Sequence, residues 1–222
     1  MKVKLVGYTQ PAGEFKKEFN DALDLIAYCA RVSNPSNQFN NETSEKLIRY
    51  LVKHKHWSPL EMSSATLEIE TTRDIARQIL RHRSFSFQEF SQRYADPSDI
   101  GDTFVIREAR LQDTKNRQNS IETEDLQLQA FWENAQRRVI EEAKNAYSWA
   151  IANGIAKEQA RAVLPEGNTK SRLYMNGTLR SWIHFIELRS SNGTQKEHME
   201  VAREIAKVIS AIFPMADEFV TN

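Results

Sequence analysis

The segment Arg81-His82-Arg83-Ser84-Phe85-Ser86-Phe87-Gln88-Glu89-Phe90-Ser91-Gln92-Arg93 sets two guanidinium groups and an imidazole in a row, with Glu89, Ser91 and Arg93 close behind. Charged N–H donors of this kind make their strongest hydrogen bonds to phosphate oxygens. The hydroxyl and carboxylate groups that follow can read a sugar or a base. Upstream, Arg73, Arg77 and Arg81 recur every four residues opposite Ile75, Ala76, Ile79 and Leu80, with Gln78 flanking. A charged stripe is usually a solvated helix face. Here five arginines and His82 face only Asp74 and Glu89 between residues 73 and 93. Like charge at that density is destabilising unless an anion neutralises it, and the planar fork of arginine suits phosphate. The pattern points to a small phosphorylated ligand.

A second set spans Arg161, Lys170, Arg172, Arg180 and Arg189 against Glu166 and Glu187. Arg189 follows Phe185, Ile186 and Leu188, which predicts partial burial, and a buried guanidinium requires a partner. The partner is either an internal carboxylate, for which Glu187 is too close in sequence, or a substrate oxygen on which negative charge develops. A third set, His54-Lys55-His56-Trp57-Ser58-Pro59-Leu60-Glu61, offers two imidazoles but no third ligand nearby. It reads as a turn with one functional histidine rather than a metal site. There is no glycine-rich dinucleotide or P-loop pattern, no Cys-x-x-Cys and no His-Glu-x-x-His. Cys29, the single cysteine, reads as a small packing residue within a helix.

The elements that must position these groups follow from pattern. At 222 residues, 40% hydrophobic and 27% charged, the chain reads as one domain over 1–222 with a core sufficient without disulfide or metal. Thirty basic and thirty acidic side chains give zero net charge, which argues against a broad nucleic-acid surface. The chain has no signal peptide and no run long enough to span a membrane, so the expectation is a cytoplasmic protein. Alternation predicts strands at the amino terminus (Val3, Leu5, Tyr8), over 63–72, briefly at Phe104-Val105-Ile106 and over 170–176. Helical spacing predicts helices over 15–32, from Thr43 to about 53, from Thr72 to about 82, over 126–155 with Phe131, Ala135, Val139 and Ala143 apolar, over 156–164, over 178–189 and over 195–213. Residues 110–124 have no clear period and read as a solvated, partly mobile loop. Helices with a few separated strands give an α+β fold, with a small mixed or antiparallel sheet packed by several helices.

Arg81-His82-Arg83, seven residues, then Ser91 resembles the signature of the flavin-dependent thymidylate synthases, the ThyX family. The rest of the chain agrees in order. His56-Trp57-Ser58-Pro59-Leu60-Glu61 resembles the family's His-x-(Ser/Thr)-Pro-(Phe/Leu)-Glu segment, and Ala160-Arg161-Ala162-Val163-Leu164-Pro165 its Ala-Arg-x-x-Leu-Pro block. Asn176-Gly177-Thr178-Leu179-Arg180, continuing to His184-Phe185 and Leu188-Arg189, resembles its late active-site helix, and Ala30-Arg31-Val32-Ser33 an early segment.

The resemblance implies methylation of dUMP to dTMP, with carbon from 5,10-methylenetetrahydrofolate, electrons carried by FAD, NADPH as reductant and tetrahydrofolate released. Because the cofactor does the redox work, the protein binds, orients and polarises. Gln78, Arg81, Glu89, Ser91, Gln92, Arg93, Arg161 and Arg189 match the family's dUMP positions. Arg189, Ser91 and Arg81 would serve catalysis: Arg189 would hold the uracil oxygen as C5 becomes nucleophilic, and Ser91 would orient, since no base stands beside it. Ser58, Arg81, His82, Arg83, Glu89, Arg180 and His184 match FAD positions, with His56 near flavin or folate. Two departures weaken the late contacts: Thr178-Leu179 precede Arg180 where the family has Asn-x-Arg, and His184 stands where many members have Asn. The resemblance further implies a homotetramer with sites shared between subunits. A nucleic-acid-binding face on Arg73–Arg93 and a flavoprotein acting on another pyrimidine nucleotide remain as alternatives.

Overall fold

Residues 64–72 alternate buried and half-buried, with Ala65, Leu67 and Ile69 wholly inaccessible, and they form the strand on which the rest is built. The computed structural model describes residues 1–221. Its strands are β1 (Lys2–Tyr8), β2 (Ser64–Thr72), β3 (Ser86–Glu89), β4 (Arg110–Gln112), β5 (Ser120–Glu122) and β6 (Lys170–Thr178). Its helices are α1 (Ala22–Ala30), α2 (Ser44–Lys53), α3 (Arg73–Ile79), α4 (Leu126–Ala152), α5 (Lys157–Ala160), α6 (Leu179–Arg189) and α7 (Lys196–Ser210). Four strands make an antiparallel sheet in the order β1-β2-β6-β3, and β4 and β5 form a separate hairpin. The expected α+β architecture with a small antiparallel sheet is present.

Register decides which face is the core. Leu5 pairs with Leu67, Leu67 with Met175 and Met175 with Phe87, so one apolar row crosses all four strands. It packs in one cluster with Trp182, Ile183, Phe185 and Ile186 of α6 and Val201, Ala202, Ile205 and Ile209 of α7. Each large side chain buried there contributes roughly 1.5–3 kcal/mol. The adjacent row faces the other way and is polar. Lys4 Nζ and Tyr174 Oη both donate to Glu68 at 3.0 Å, and Arg172 Nε donates to Glu70 at 3.0 Å. The sheet therefore presses α6 and α7 into fixed positions and leaves its β6–β3 edge to carry polar groups.

The structure differs from the sequence expectations at several places, each with a local cause. The first helix starts at Ala22 rather than Phe15, because the Asp21 carboxylate accepts from Leu23 and Asp24 N–H and begins a new helix. A 3₁₀ turn over Gly13–Lys17 precedes it. Thr43 and Thr72 stand at helix starts without capping them. The Thr43 hydroxyl accepts from Arg31 Nη2 at 2.8 Å, and the Thr72 hydroxyl lies between Asp74 and Arg107. Phe104-Val105-Ile106 is no strand beyond a single bridge from Phe104 to Thr169. Asn168 takes the backbone of Val105 from both sides, its carbonyl accepting from Val105 N–H at 2.8 Å and its side chain donating to the Val105 carbonyl, and Gln136 exchanges two hydrogen bonds with the backbone of adjoining Arg107. Residues 110–124 are largely solvated, as expected, but they are not an irregular loop throughout. Leu111 faces Ile121 across the β4–β5 hairpin, which is fastened to α7 by Arg110–Glu197 (2.6 Å) and Lys196–Glu122 (2.5 Å).

The long helix α4 has the expected apolar positions, but only part of that stripe is covered. Ile140, Ala143, Tyr147 and Ala150 are buried, whereas Phe131 is 64% and Val139 55% exposed.

Candidate active site

The α3 helix ends at Ile79, so Arg81, His82 and Arg83 lie on the turn that leads into β3 rather than on the helix itself. The turn is held from beneath. The His82 ring packs edge-on against Phe185 of α6 at 4.8 Å, and Phe85 packs on Trp182 at 4.7 Å. Gly177 makes room for Phe85: a Cβ there would come within 2.3 Å of the ring. Above this base Arg81 and Arg83 are exposed.

Arg189, at the last position of α6, donates from Nε to His82 Nε2 at 2.9 Å. An accepting Nε2 requires the neutral ring with its proton on Nδ1. Burial, and then the charge of Arg189, push the His82 pKa down to about 4, which keeps the ring neutral. Burial and the nearby Arg81 lower the Arg189 pKa in turn. Its expected partner was an internal carboxylate or a substrate; the partner is a histidine, and Nη1 and Nη2 make no hydrogen bond among the described residues.

Gln78 points into the molecule. Its Nε2 donates to Gln195 Oε1 at 2.7 Å, and its Oε1 lies 3.2 Å from His198 Nδ1. Gln195 and His198, at the start of α7, had no signal in sequence beyond a Gln-x-x-His spacing, and no motif drew attention to them.

Arg180 stands in the first turn of α6 and His184 at its middle. Arg180 pairs with Glu61, and His184 packs edge-on against Trp57 at 4.4 Å, beside exposed Ser58. His56 is exposed close to Tyr50, ring centres 6.3 Å apart. At 1.5 Å rise per residue, Arg180 and Arg189 are about 13 Å apart along the helix. The expected FAD residues thus fall along the first half of α6 and on the turn that meets its far end at Arg189. A diphosphate needs cations that are not already neutralised, and neither Arg81 nor Arg83 forms an ion pair among the described residues, whereas Arg73, Arg77, Arg93 and Arg180 do. That donor set fits FAD.

The remaining residues expected at dUMP gather on the other side of α3. Arg77 and Gln78 diverge by about 100° round the helix axis, and Arg77 faces Glu166 at 3.0 Å. Glu89 accepts from Ser171 Oγ at 2.8 Å and pairs with buried Arg73 at 3.5 Å. A cleft of about 360 Å³ is lined by Arg73, Arg77, Gln92, Glu158, Arg161 and Glu166. Buried Gln92 ends there with its Nε2 lacking any partner among the described residues. Arg161 donates to the Glu158 carbonyl at 3.3 Å, Arg93 lies 4.0 Å from the Glu158 carboxylate, and Ser91 Oγ accepts from Arg93 N–H at 3.4 Å. The structure therefore brings Gln78, Arg81 and Arg189 together in one group and Glu89, Gln92, Arg93 and Arg161 in another. A cavity of about 510 Å³ near Lys2, Thr72, Arg107 and Lys170 holds none of these residues. His54 and His56 belong to no metal-binding cluster, and none exists among the described residues.

Known proteins resemble this chain along nearly its whole length. The family model described as thymidylate synthase complementing protein matches residues 15–215. A probable flavin-dependent thymidylate synthase of Paramecium bursaria Chlorella virus 1 is 48% identical over 214 residues, covering 96% of each chain. The flavin-dependent thymidylate synthase of Synechocystis is 47% identical over 214 residues, again 96% of each. Among solved structures, the UMP/dUMP methylase PolB of Streptomyces cacaoi, bound with 5-Br dUMP, superimposes with a TM-score of 0.79 at 28% identity, over 98% of this chain and 93% of that one. With this fold, this turn and these relatives, the chain belongs to the flavin-dependent thymidylate synthase family.

Proposed function

We propose that the chain methylates dUMP to dTMP, using 5,10-methylenetetrahydrofolate as carbon donor and FAD reduced by NADPH. The observation that carries the reading is the Arg189 fork: Nε is committed to neutral His82 and leaves both terminal nitrogens free. A guanidinium fixed in this way can place two N–H donors on a uracil carbonyl and stabilise the negative charge that builds there as C5 becomes nucleophilic. His82 keeps the fork in position without opposing its charge.

FAD, when bound, supplies the hydride and electron chemistry of the reaction. The residues that would hold it are Arg81, His82 and Arg83 on the turn at the end of α6, Arg180 and His184 along its first half, Ser58 beside them and Glu89, with His56 toward the flavin or folate. Gln78, Arg81, Ser91 and Arg189 would orient the nucleotide. Arg161 and Gln92 line a cleft, with Arg93 beside it through Glu158, that would take its phosphate, and buried Gln92 Nε2 is a donor in want of an acceptor.

The nucleotide residues fall in two groups on either side of α3. That division, and the uncovered stripe on α4, support a homotetramer whose sites draw residues from more than one subunit. We read the chain as one domain over 1–222, supported by a core that runs from Val3 to Ala216. A cytoplasmic location suits its substrates; no helix among the described residues is long and apolar enough to cross a membrane.

The test is anaerobic incubation of the purified protein with dUMP, methylenetetrahydrofolate, FAD and NADPH, each omitted in turn, with products read by mass spectrometry. dTMP that requires both FAD and NADPH is the expected result. UMP belongs in a parallel reaction, because the PolB structure is of a UMP/dUMP methylase. Methylation of UMP in preference to dUMP would move the substrate assignment, and no methylated product with either would overturn the reading.

A further inference from the structure

Gln78 belongs to a hydrogen-bonded series with a fixed direction. At one end Glu197 accepts from Arg110 Nη2 at 2.6 Å and lies 3.6 Å from Arg107. Burial opposes its ionisation, but the hydrogen bond from Arg110, one from its own backbone N–H and the charge of Arg107 outweigh that and hold its pKa below the ordinary glutamate value. An ionised carboxylate only accepts. Gln195 must therefore turn its NH2 toward Glu197, and Nε2 donates there at 2.9 Å. Only its Oε1 is then left for Gln78, so Gln78 must present its NH2, at 2.7 Å. The Gln78 carbonyl in turn faces His198 Nδ1 at 3.2 Å, and that nitrogen must carry the proton.

His198 is fully inaccessible. Burial, and then the charge of Arg189, push its pKa down to about 3, so the ring is neutral. A neutral ring protonated on Nδ1 leaves Nε2 a bare acceptor, and Nε2 has no partner among the described residues. A buried histidine retained with one nitrogen unsatisfied is costly, which is understandable if the other nitrogen has a task.

We propose that Glu197, Gln195 and His198 form a positioning relay that fixes which end of the Gln78 amide meets the nucleotide. The proposal rests on the reading of Gln78 as a dUMP contact. The two ends of an amide are nearly the same shape, and only hydrogen-bond partners tell them apart. After its two internal bonds Gln78 retains one N–H and one carbonyl lone pair. Uracil sets an N–H donor beside carbonyl acceptors, so a flipped amide would oppose donor to donor and acceptor to acceptor. None of the three relay residues need touch the substrate.

The experiment is calorimetric titration of dUMP into the FAD-loaded enzyme carrying His198→Leu, His198→Asn, Gln195→Leu, Gln78→Ala and the doubles with Gln78→Ala. One unpaired polar contact corresponds to a loss of about tenfold. His198→Leu and Gln195→Leu should each weaken dUMP by about that factor, and His198→Asn, which keeps a donor near the Nδ1 position, should recover most of it. On the Gln78→Ala background neither leucine variant should lower affinity further, since residues that act through one another are not additive. Additive losses, or unchanged affinity in both leucine variants while Gln78→Ala is impaired, would overturn the relay. If Gln78→Ala itself binds dUMP normally, the contact reading fails and the relay with it. Should His198→Leu not fold, Gln195→Leu, at a half-exposed position, decides the matter alone.

Discussion

Arg189 Nε donates to His82 Nε2 across 2.9 Å, joining the end of α6 to the turn that follows α3. An arginine held by a neutral histidine keeps its full charge for the substrate, where a carboxylate partner would have spent it. Arg189→Lys tests this. A lysine ammonium has no planar fork and cannot hold His82 and a uracil oxygen together. The rate of dTMP formation should fall by about 10²-fold, the scale of losing one charge-stabilising donor. The thermal midpoint should hardly move, because Arg189 is only half-buried. A lysine variant with full activity would remove Arg189 from the chemistry.

Stability should depend on pH through His82 and His198. Both pKa values lie below the ordinary 6.5 in the folded state, near 4 and near 3, chiefly because of burial. The unfolded chain then binds these protons first as pH falls. The stabilisation is fully present above about pH 6.5 and is lost progressively toward pH 4, at up to about 1.4 kcal/mol per proton per pH unit. Urea unfolding between pH 7 and pH 4 measures it. His198→Asn, which cannot titrate, should flatten the slope, and an unchanged slope would show that carboxylates account for it instead.

Gly177 and Phe85 should be inseparable. A Cβ on Gly177 would overlap the Phe85 ring, which is wedged on Trp182 and has no room to retreat. Gly177→Ala should cost about 1–3 kcal/mol, the range for an overpacked core. It should also displace Arg83 two residues away and weaken FAD. Gly177→Ala with Phe85→Leu should recover stability; failure to recover would place the strain elsewhere.

Arg81 and Arg83 are the cations of the turn that no carboxylate neutralises among the described residues. Arg83→Ala should therefore leave thermal stability within about 0.5 kcal/mol, as for an unpaired surface residue, yet weaken FAD at least about tenfold, the loss expected for a charge-assisted bond to phosphate. Fluorescence titration with FAD reads both wild type and variant. Arg77→Ala is the control, since Arg77 is already paired with Glu166. Equal effects at Arg77 and Arg83 would mean that bulk charge, not the turn, attracts the cofactor.

What could be read from sequence divides along a physical line. Period and turn chemistry announced β2, β6, α6 and α7, because burial on one face leaves a regular apolar trace, as at Ala65, Leu67 and Ile69. The Arg81–Arg93 segment was legible because so much like charge in so few residues demands an explanation. Residues 104–109 were not legible: the backbone of Val105, Arg107 and Ala109 is met by the side chains of Asn168, Gln136 and Gln129 from distant elements, and such pairing leaves no periodic trace. Nor could sequence show that Arg189 would find His82, or that Gln78 would turn inward to Gln195 and His198. Those partners are 107, 117 and 120 residues away and meet only through the packing of α6 and α7.

The apolar stripe of α4 was read correctly as apolar, yet the single chain covers only its inner edge. Phe131, Trp132 and Val139 are exposed beside a groove of about 660 Å³ lined by Ala135, Ala146 and Val163. Exposed apolar side chains grouped in this way suit an association surface, and a second copy of the chain is the occupant that the proposed shared site would need. Phe131→Asp with Val139→Asp places two charges where that contact would dehydrate them. If the proposed tetramer forms through this face, sedimentation should show a smaller species for the variant than for the wild type, and dTMP formation should be lost with it. Mixing intact Arg161→Ala with intact Arg189→Ala chains makes the sharper case. If the two groups either side of α3 serve one nucleotide from different subunits, mixed tetramers should regain activity that neither parent has. If each chain builds its site alone, no mixture will recover it.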